Sequence, residues 1–249
     1  MIIIKNNKEI DLMRSAGKIV AETLLLIEEK VRPGITTAEL DRIAEEFITK
    51  HGARPSFKGL YGFPASLCIS VNEQVVHGIP GGYVLKDGDI VSVDCGASIN
   101  GFHGDAARTF GVGNISKEAE RLINVTKESF FKGIEYAKVG NRLTDISHEI
   151  QNCVEAAGFS VVRDFVGHGI GRVVHEDPDI PNYGRPGRGP KLVEGMALAI
   201  EPMVNVGNYK VKTLSNDWTV VTSDGSLSAH YENTIVILPD GPEILTLIR

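Results

Sequence analysis

Two nine-residue stretches of the chain run on one plan, and each ends on an acid: Lys86-Asp87-Gly88-Asp89-Ile90-Val91-Ser92-Val93-Asp94 and Val193-Glu194-Gly195-Met196-Ala197-Leu198-Ala199-Ile200-Glu201. Glycine aligns with glycine and carboxylate with carboxylate at one offset of 107 positions. Both read as a turn feeding an apolar strand. A carboxylate closing such a strand needs a cation or a hydrogen-bond network if it is to be buried. Its appearance twice points to a metal cradle between two halves.

The Asn100-Gly101 pair after Asp94 is the favoured two-residue turn of a β-hairpin. With these two as the loop, Ile99 pairs with Phe102 and partner numbers sum to 201, so Asp94 lies opposite Ala107. Cross-strand partners share a face, as do residues two apart. Asp94 and Asp105 therefore fall diagonally on one face, within reach of a common ion. Gly96 and Gly104 are expected to leave room there. In the second half, Asp224-Gly225 signals another hairpin ahead of Ser228-Ala229-His230-Tyr231-Glu232-Asn233-Thr234-Ile235, and Glu232 answers Asp105 as Glu201 answers Asp94. His77-Gly78-Ile79 likewise recurs as His168-Gly169-Ile170, where Gly167, Gly169 and Gly171 suggest close backbone approach to something bound.

Asp94, Asp105, His168, Glu201 and Glu232 form an oxygen-rich set with one imidazole, suited to divalent Mn, Fe, Co or Zn. Four carboxylates crowded without cations repel. Two ions about 3.5–4 Å apart would neutralise them, two acids could bridge the pair, and a shared hydroxide would be the nucleophile for hydrolysis of a polarised carbonyl. Any one of these acids alone reads as a solvated turn residue; the mirrored placement is what argues for ligation. His77 and His175 are candidate proton shuttles or oxyanion donors. His51 sits at a helix end, His148 within a helix and His103 near a hairpin tip. His230 shares the strand face of Glu232, where a core histidine is favoured over a supporting one. Phe63, Cys68 and Trp218 read as core residues that could equally line an apolar pocket.

The elements that must position these groups follow from periodicity. Ile10, Met13, Ala16, Val20, Leu24 and Ile27 recur at helical spacing over Lys8 to Val31, before Pro33-Gly34. Thr36 with Glu39 forms a capping box for a second helix ending at His51-Gly52. Strands are expected at Ser66 to Val71, Gln74 to Gly78, Asp89 to Ala97 and Phe102 to Phe110. Gly111-Val112-Gly113-Asn114 is the seam; Ser116 caps a third helix to about Lys138, and a fourth spans Leu143 to Ala157. Strands resume at Ser160 to Val166, Ala197 to Val204, Trp218 to Thr222 and Ser228 to Leu238. Asp177 to Pro190, rich in Pro and Gly, reads as a surface loop near a site. Two helices then strands, twice, imply one catalytic domain over 1–249 built from half-repeats of about 1–113 and 114–249.

With 249 residues, 42% of them hydrophobic, one sizeable core is available. A net charge of −6, with no basic cluster, gives no footprint for a nucleic-acid substrate. Cys68, Cys95 and Cys153 are odd in number and lack CxxC spacing, which fits a reducing compartment, with the cytoplasm as the expected location. The Met1-Ile2-Ile3-Ile4-Lys5 start is too short for a signal peptide's apolar core, and no 18-residue apolar run suggests a membrane span.

The segments Val76-His77-Gly78-Ile79-Pro80, Val93-Asp94-Cys95-Gly96, Gly104-Asp105-Ala106-Ala107-Arg108-Thr109-Phe110, Gly167-His168-Gly169-Ile170-Gly171, Ala199-Ile200-Glu201-Pro202 and Tyr231-Glu232-Asn233-Thr234 resemble those of the type I methionine aminopeptidases, over nearly the whole chain. The resemblance implies the pita-bread α/β fold, in which helices pack on a curved antiparallel sheet, and a dinuclear metal centre. It also implies removal of initiator methionine from nascent proteins with a small second residue. Carried over, Asp94 would chelate one ion, Asp105 and Glu232 would bridge, and His168 with Glu201 would complete the second ion's shell, Glu201 doubling as proton shuttle. His77 would contact the substrate near the scissile amide, and His175 would stabilise the carbonyl oxygen. Phe63, Cys68 and Trp218 would form the methionine pocket, suited to a soft thioether. Tyr61 departs from the pattern, standing where several members carry histidine. The resemblance further implies a minimal bacterial-type monomer whose partners are peptide N-termini and the ribosome exit region. The alternatives are an Xaa-Pro aminopeptidase or prolidase sharing the ligand set, which would usually carry a further amino-terminal domain, and a pita-bread binding protein without catalysis, which would lack some ligands.

Overall fold

The computed structural model describes residues 1–248. Helix α1 (Asn7–Lys30) opens on a complete capping box: Asn6 accepts from the Glu9 N–H and the Glu9 carboxylate accepts from the Asn6 N–H, both at 3.1 Å. Such a cap contributes about 1 kcal/mol. Helix α2 (Thr37–Lys50) has only half of the expected box, since Thr36 accepts from the Glu39 N–H but Glu39 does not reach back. Helix α3 (Lys117–Ile134) begins at Ser116 as anticipated and stops short of Lys138. There the Tyr136 and Ala137 N–H groups bond the carbonyls of Gly133 and Ile134, so the chain tightens into three-residue turns and leaves the helical path. Helix α4 covers Leu143–Ala156.

Of the four antiparallel sheets among the described residues, the two larger ones lie under the helices and carry most of the site. In the first, Ile90–Ile99 pairs with Phe102–Gly111 on one side and with Leu67–Val71 and Arg54–Pro55 on the other. The hairpin register computed from Asn100-Gly101 is the one observed, with Ile99 opposite Phe102 and Asp94 opposite Ala107. The apolar stripes of α1 and α2 (Val20, Leu24, Ile27, Leu40, Ala44) pack against Leu67, Val91, Val93 and Ala106 of this sheet. In the second sheet the order is Gly241–Ile244, Asn233–Leu238, Ala197–Ile200, Gly167–Gly169, Glu176–Ile180. Ile146 and Ile150 of α4, with Phe130 of α3, close over Leu198, Ile200 and Ile235. The helix-pair-then-sheet plan thus occurs twice.

Glycines tune the crossings in a way the sequence reading mistook. Gly104 makes no room at the acids: a Cβ there would lie 2.8 Å from the Gly17 nitrogen, because α1 crosses the strand backbone to backbone. The space beside Gly96 belongs to the Phe57 ring and Ser56.

The expected strands Ala197 to Val204 and Ser228 to Leu238 are each broken at an acid. Ala197–Ile200 gives way at Glu201-Pro202 to Met203–Asn205, and Ser228–His230 gives way at Tyr231-Glu232 to Asn233–Leu238. Pro202 has no N–H for a ladder, and both chains change sheets there, since Met203–Asn205 pairs with Ser228–His230 and Ser160–Val161. Asp224-Gly225 does not close a hairpin. Its flanking strands join different sheets, and the Asp224 carboxylate ties two loops by accepting from the N–H groups of Asn208 (2.7 Å) and Ser226 (3.0 Å). Part of the expected loop at Asp177 to Pro190 is the Glu176–Ile180 strand, paired with Gly167–Gly169. It is anchored by Lys5, whose buried Nζ lies 2.5 Å from the Glu176 Oε2, and by the Met1 amino group on Asp177. Among the described residues no helix is long and apolar enough to cross a membrane.

Candidate metal centre

Backbone pairing brings the acids together. Asp94 is the ladder partner of Ala107, and Ala107 in turn exchanges both backbone hydrogen bonds with Glu232, at 3.0 and 3.3 Å. Asp94, Ala107 and Glu232 therefore stand in one row across the seam, with Asp105 two residues along on the same face. Thr234 fixes Asp105 from the other half: its hydroxyl accepts from the Asp105 N–H and donates to the Asp105 carbonyl, both at 2.9 Å. On the second sheet His168 pairs with Ala199, two residues before Glu201, which turns the imidazole and this carboxylate to the same side.

The side chains converge. His168 Nε2 lies 3.8 Å from the Glu201 Oε1 and 4.0 Å from the Asp105 Oδ2. Nδ1 of His168 faces the Gly169 carbonyl at 2.9 Å. A carbonyl only accepts, so the ring proton sits on Nδ1 and the Nε2 lone pair points at the acids. Donor atoms of Asp105, His168 and Glu232 all fall within 4.8 Å of one another, as do those of Glu201, His230 and Glu232. Asp94 Oδ1, Asp105 Oδ1 and Glu232 Oε1 are buried with no hydrogen-bond partner.

These groups cannot all be charged on their own. Burial pushes the Asp94 carboxyl up to about 7 and that of Glu201 up to about 8. Burial, reinforced by the neighbouring carboxylates, pushes Asp105 and Glu232 well above the ordinary range. Orphaned oxygens, mutual repulsion and one oriented imidazole are what a divalent cation relieves. Asp94, Asp105, His168, Glu201 and Glu232 thus fit the group that their types suggest.

A cavity of 490 Å³ opens onto the cradle. One wall is Phe63, Cys68 and Trp218; the Phe63 and Trp218 rings meet edge to face at 5.0 Å, and Cys68 is the ladder partner of Asp94. His77 lines it with its ring edge-on to Phe165 (5.6 Å) and Trp218 (6.4 Å). Its backbone is left-handed (φ 58°), a conformation that costs a non-glycine residue of order 1–3 kcal/mol and clusters at functional sites. Burial holds the His77 imidazole down to about 4, hence neutral. His175 stands edge-on to His168 at 4.5 Å and stacks under Tyr61 at 5.9 Å. Tyr61, also left-handed (φ 52°), is 76% exposed at the mouth.

The sequence reading missed several contributors. Phe57 and Phe165 complete the apolar wall; isolated aromatics in irregular segments carry no spacing signal. His230, favoured as a core residue, instead points Nε2 at the Glu201 Oε2 (3.5 Å) and Glu232 Oε2 (3.9 Å). The glycines around His168 crowd the protein itself: Cβ atoms on Gly167 and Gly169 would meet the carbonyls of Ala199 and Asp177, and one on Gly171 would meet Lys5. Of the remaining histidines, His51 and His148 bond backbone carbonyls and His103 bonds the Ser56 hydroxyl.

Paired helices backing antiparallel sheets around a buried carboxylate-imidazole cradle define a metal-dependent hydrolase with an apolar substrate slot. The chain belongs to metallopeptidase family M24, whose pattern matches residues 11–239. It is 79% identical over 249 residues, the whole of both chains, to a methionine aminopeptidase of Clostridium perfringens. The crystal structure of methionine aminopeptidase from Rickettsia prowazekii superimposes with a TM-score of 0.98 at 47% identity, covering 99% of this chain and 100% of that one. A prolidase from Pyrococcus furiosus shares the fold at a TM-score of 0.82 and 23% identity, and 66% of its chain is covered. The fold is the pita-bread α/β arrangement.

Proposed function

We propose that the protein is a metal-dependent methionyl aminopeptidase that removes the initiator methionine from peptides and nascent proteins with a small second residue. The observation that carries this reading is the meeting of two unlike surfaces: four acids, three of them with orphaned buried oxygens, open directly onto a slot walled by Phe63, Cys68 and Trp218. Full-length identity to methionine aminopeptidases supports it.

Asp94, Asp105, His168, Glu201 and Glu232 would hold two divalent ions, of Mn, Fe, Co or Zn. When bound, such ions neutralise the acids, polarise the scissile carbonyl and activate water. The slot takes the methionine side chain, whose unbranched, polarisable thioether fits an aromatic and sulfur-lined wall. His77, neutral in its pocket, contacts the peptide beside the scissile amide. His175 faces the carbonyl oxygen as it gains charge. Glu201 would pass a proton to the departing amine. One catalytic domain of two half-repeats, about 1–113 and 114–249, carries the whole site. A cytoplasmic monomer that meets its substrates at the ribosome exit region fits the reading.

The test is hydrolysis of Met-Ala-Ser against Xaa-Pro peptides by metal-stripped protein with each ion added back. Metal-dependent release of methionine is expected. Turnover of the proline peptides alone would instead make the chain a prolidase-like peptidase.

A further inference from the structure

Two histidines point a ring nitrogen at the acids of the cradle, His168 and His230, and their surroundings give them opposite chemistry. His168 has its proton drawn to Nδ1 by the Gly169 carbonyl, leaving Nε2 as an electron-pair donor. Among the described residues His230 has no such anchor at Nδ1, and its Nε2 is fully buried without a partner. That nitrogen faces two carboxyl groups, through the Glu201 Oε2 at 3.5 Å and the Glu232 Oε2 at 3.9 Å. With cations in the cradle both groups are carboxylates that only accept, and a bare lone pair aimed at them is repelled, so the proton belongs on Nε2. The ring is also rigidly delivered: the Thr109 hydroxyl donates to the His230 carbonyl at 2.8 Å and accepts from the His230 N–H at 2.9 Å.

Resting on the reading of this cradle as a metal centre, we propose that His230 is a positioning residue of that centre. Its Nε2–H holds the Glu201 Oε2, so that Oε1 stays turned to His168 and the ion they share, and His230 itself ligates nothing. The present 3.5 Å separation is about 0.5 Å longer than a closed N–H···O bond. Rotation of the Glu201 carboxylate about its soft terminal torsion closes that gap.

The experiment compares wild type with His230→Gln, His230→Asn and His230→Leu. It reads cobalt binding by titration calorimetry, the number of imidazoles on cobalt by X-ray absorption, and kcat and KM on Met-Ala-Ser. Gln, whose amide N–H reaches about as far as the imidazole, is expected within threefold of wild type in every reading. Asn, too short, and Leu, with no donor, are expected to lose 10–100-fold in cobalt affinity and kcat with KM nearly unchanged, as when a partner of a metal ligand is removed. One imidazole per pair of ions is expected in wild type and in each variant. Two imidazoles in wild type falling to one in His230→Leu would make His230 a ligand and overturn the proposal. So would wild-type affinity and kcat in the Asn and Leu variants, or a Gln variant as impaired as Leu. If Leu does not fold, Gln against Asn decides. Failure of wild type to bind cobalt at all would sink the metal-centre reading itself, a result distinct from these.

Discussion

Ala107 and Glu232, from opposite halves of the sequence, exchange both backbone hydrogen bonds and so act as the rivet between the two sheets. On either side of this pair a threonine hydroxyl repeats the connection, Thr234 to Asp105 and Thr109 to His230. Three contacts along one line thus set the distance between acids that no single strand could bring together.

Thr234→Val keeps the shape and removes the hydroxyl, leaving the Asp105 N–H and C=O buried without their partner. The expected loss is about 1–3 kcal/mol of stability, read by thermal unfolding, together with weaker metal binding in a calorimetric titration. Unchanged metal affinity would show that the seam does not hold Asp105 in place.

Asp94→Ala and Glu201→Ala are expected to fold, since each removes an acid whose charged form burial disfavours. Both should have less than about 1% of wild-type turnover, within the range lost with a group that acts in proton transfer or holds a catalytic ion. Steady-state assays alongside circular dichroism check this. An active variant would contradict the assigned roles.

His77→Ala should lower kcat while two ions remain bound, measured by metal analysis of the dialysed protein. Loss of both ions would make His77 a ligand.

The pH dependence of the metal-free protein has a definite sign. Asp94 (about 7) and Glu201 (about 8) have carboxyls raised by burial, so the folded state keeps protons that the unfolded chain has lost. Stability from such groups is present at low pH and drains away as pH rises through the folded values. His77, His168 and His230 are held near 4 and are neutral in both states above about 7, so they add no slope there. Between pH 7 and 8.5 the melting temperature should fall, by about 1.4 kcal/mol of stability per pH unit for each proton the folded state still holds in excess of the unfolded chain. A divalent ion should abolish the fall. A flat or rising profile without metal would show that the acids are not packed as described.

What could be read in advance was whatever local chemistry dictates. Asn100-Gly101 admits one tight turn, so the register of Asp94 against Ala107 followed by counting, and Ser116 marked the start of α3 because its hydroxyl meets a free helix N–H. The positions of Glu201 and Glu232 were legible from the repeat, but not the strand breaks beside them, because those depend on which sheet accepts the chain beyond. Asp224-Gly225 looked like Asn100-Gly101 and behaved differently: its carboxylate accepts from the Asn208 N–H and its flanking strands pair in different sheets, partners that no local spacing announces. The orientation of His230 was hidden too: it is set by Thr109, a hydrogen bond across 121 positions.

That reach has a consequence for how the molecule comes into being. The rivet needs Glu232 and the clasp on Asp105 needs Thr234, 129 positions downstream. During translation, the amino-terminal hairpin can be complete while its acids still lack their counterparts. Competence for chemistry should therefore switch on abruptly, when Thr234 has cleared the tunnel, and ribosome-stalled chains cut before that residue should be incapable of retaining cobalt.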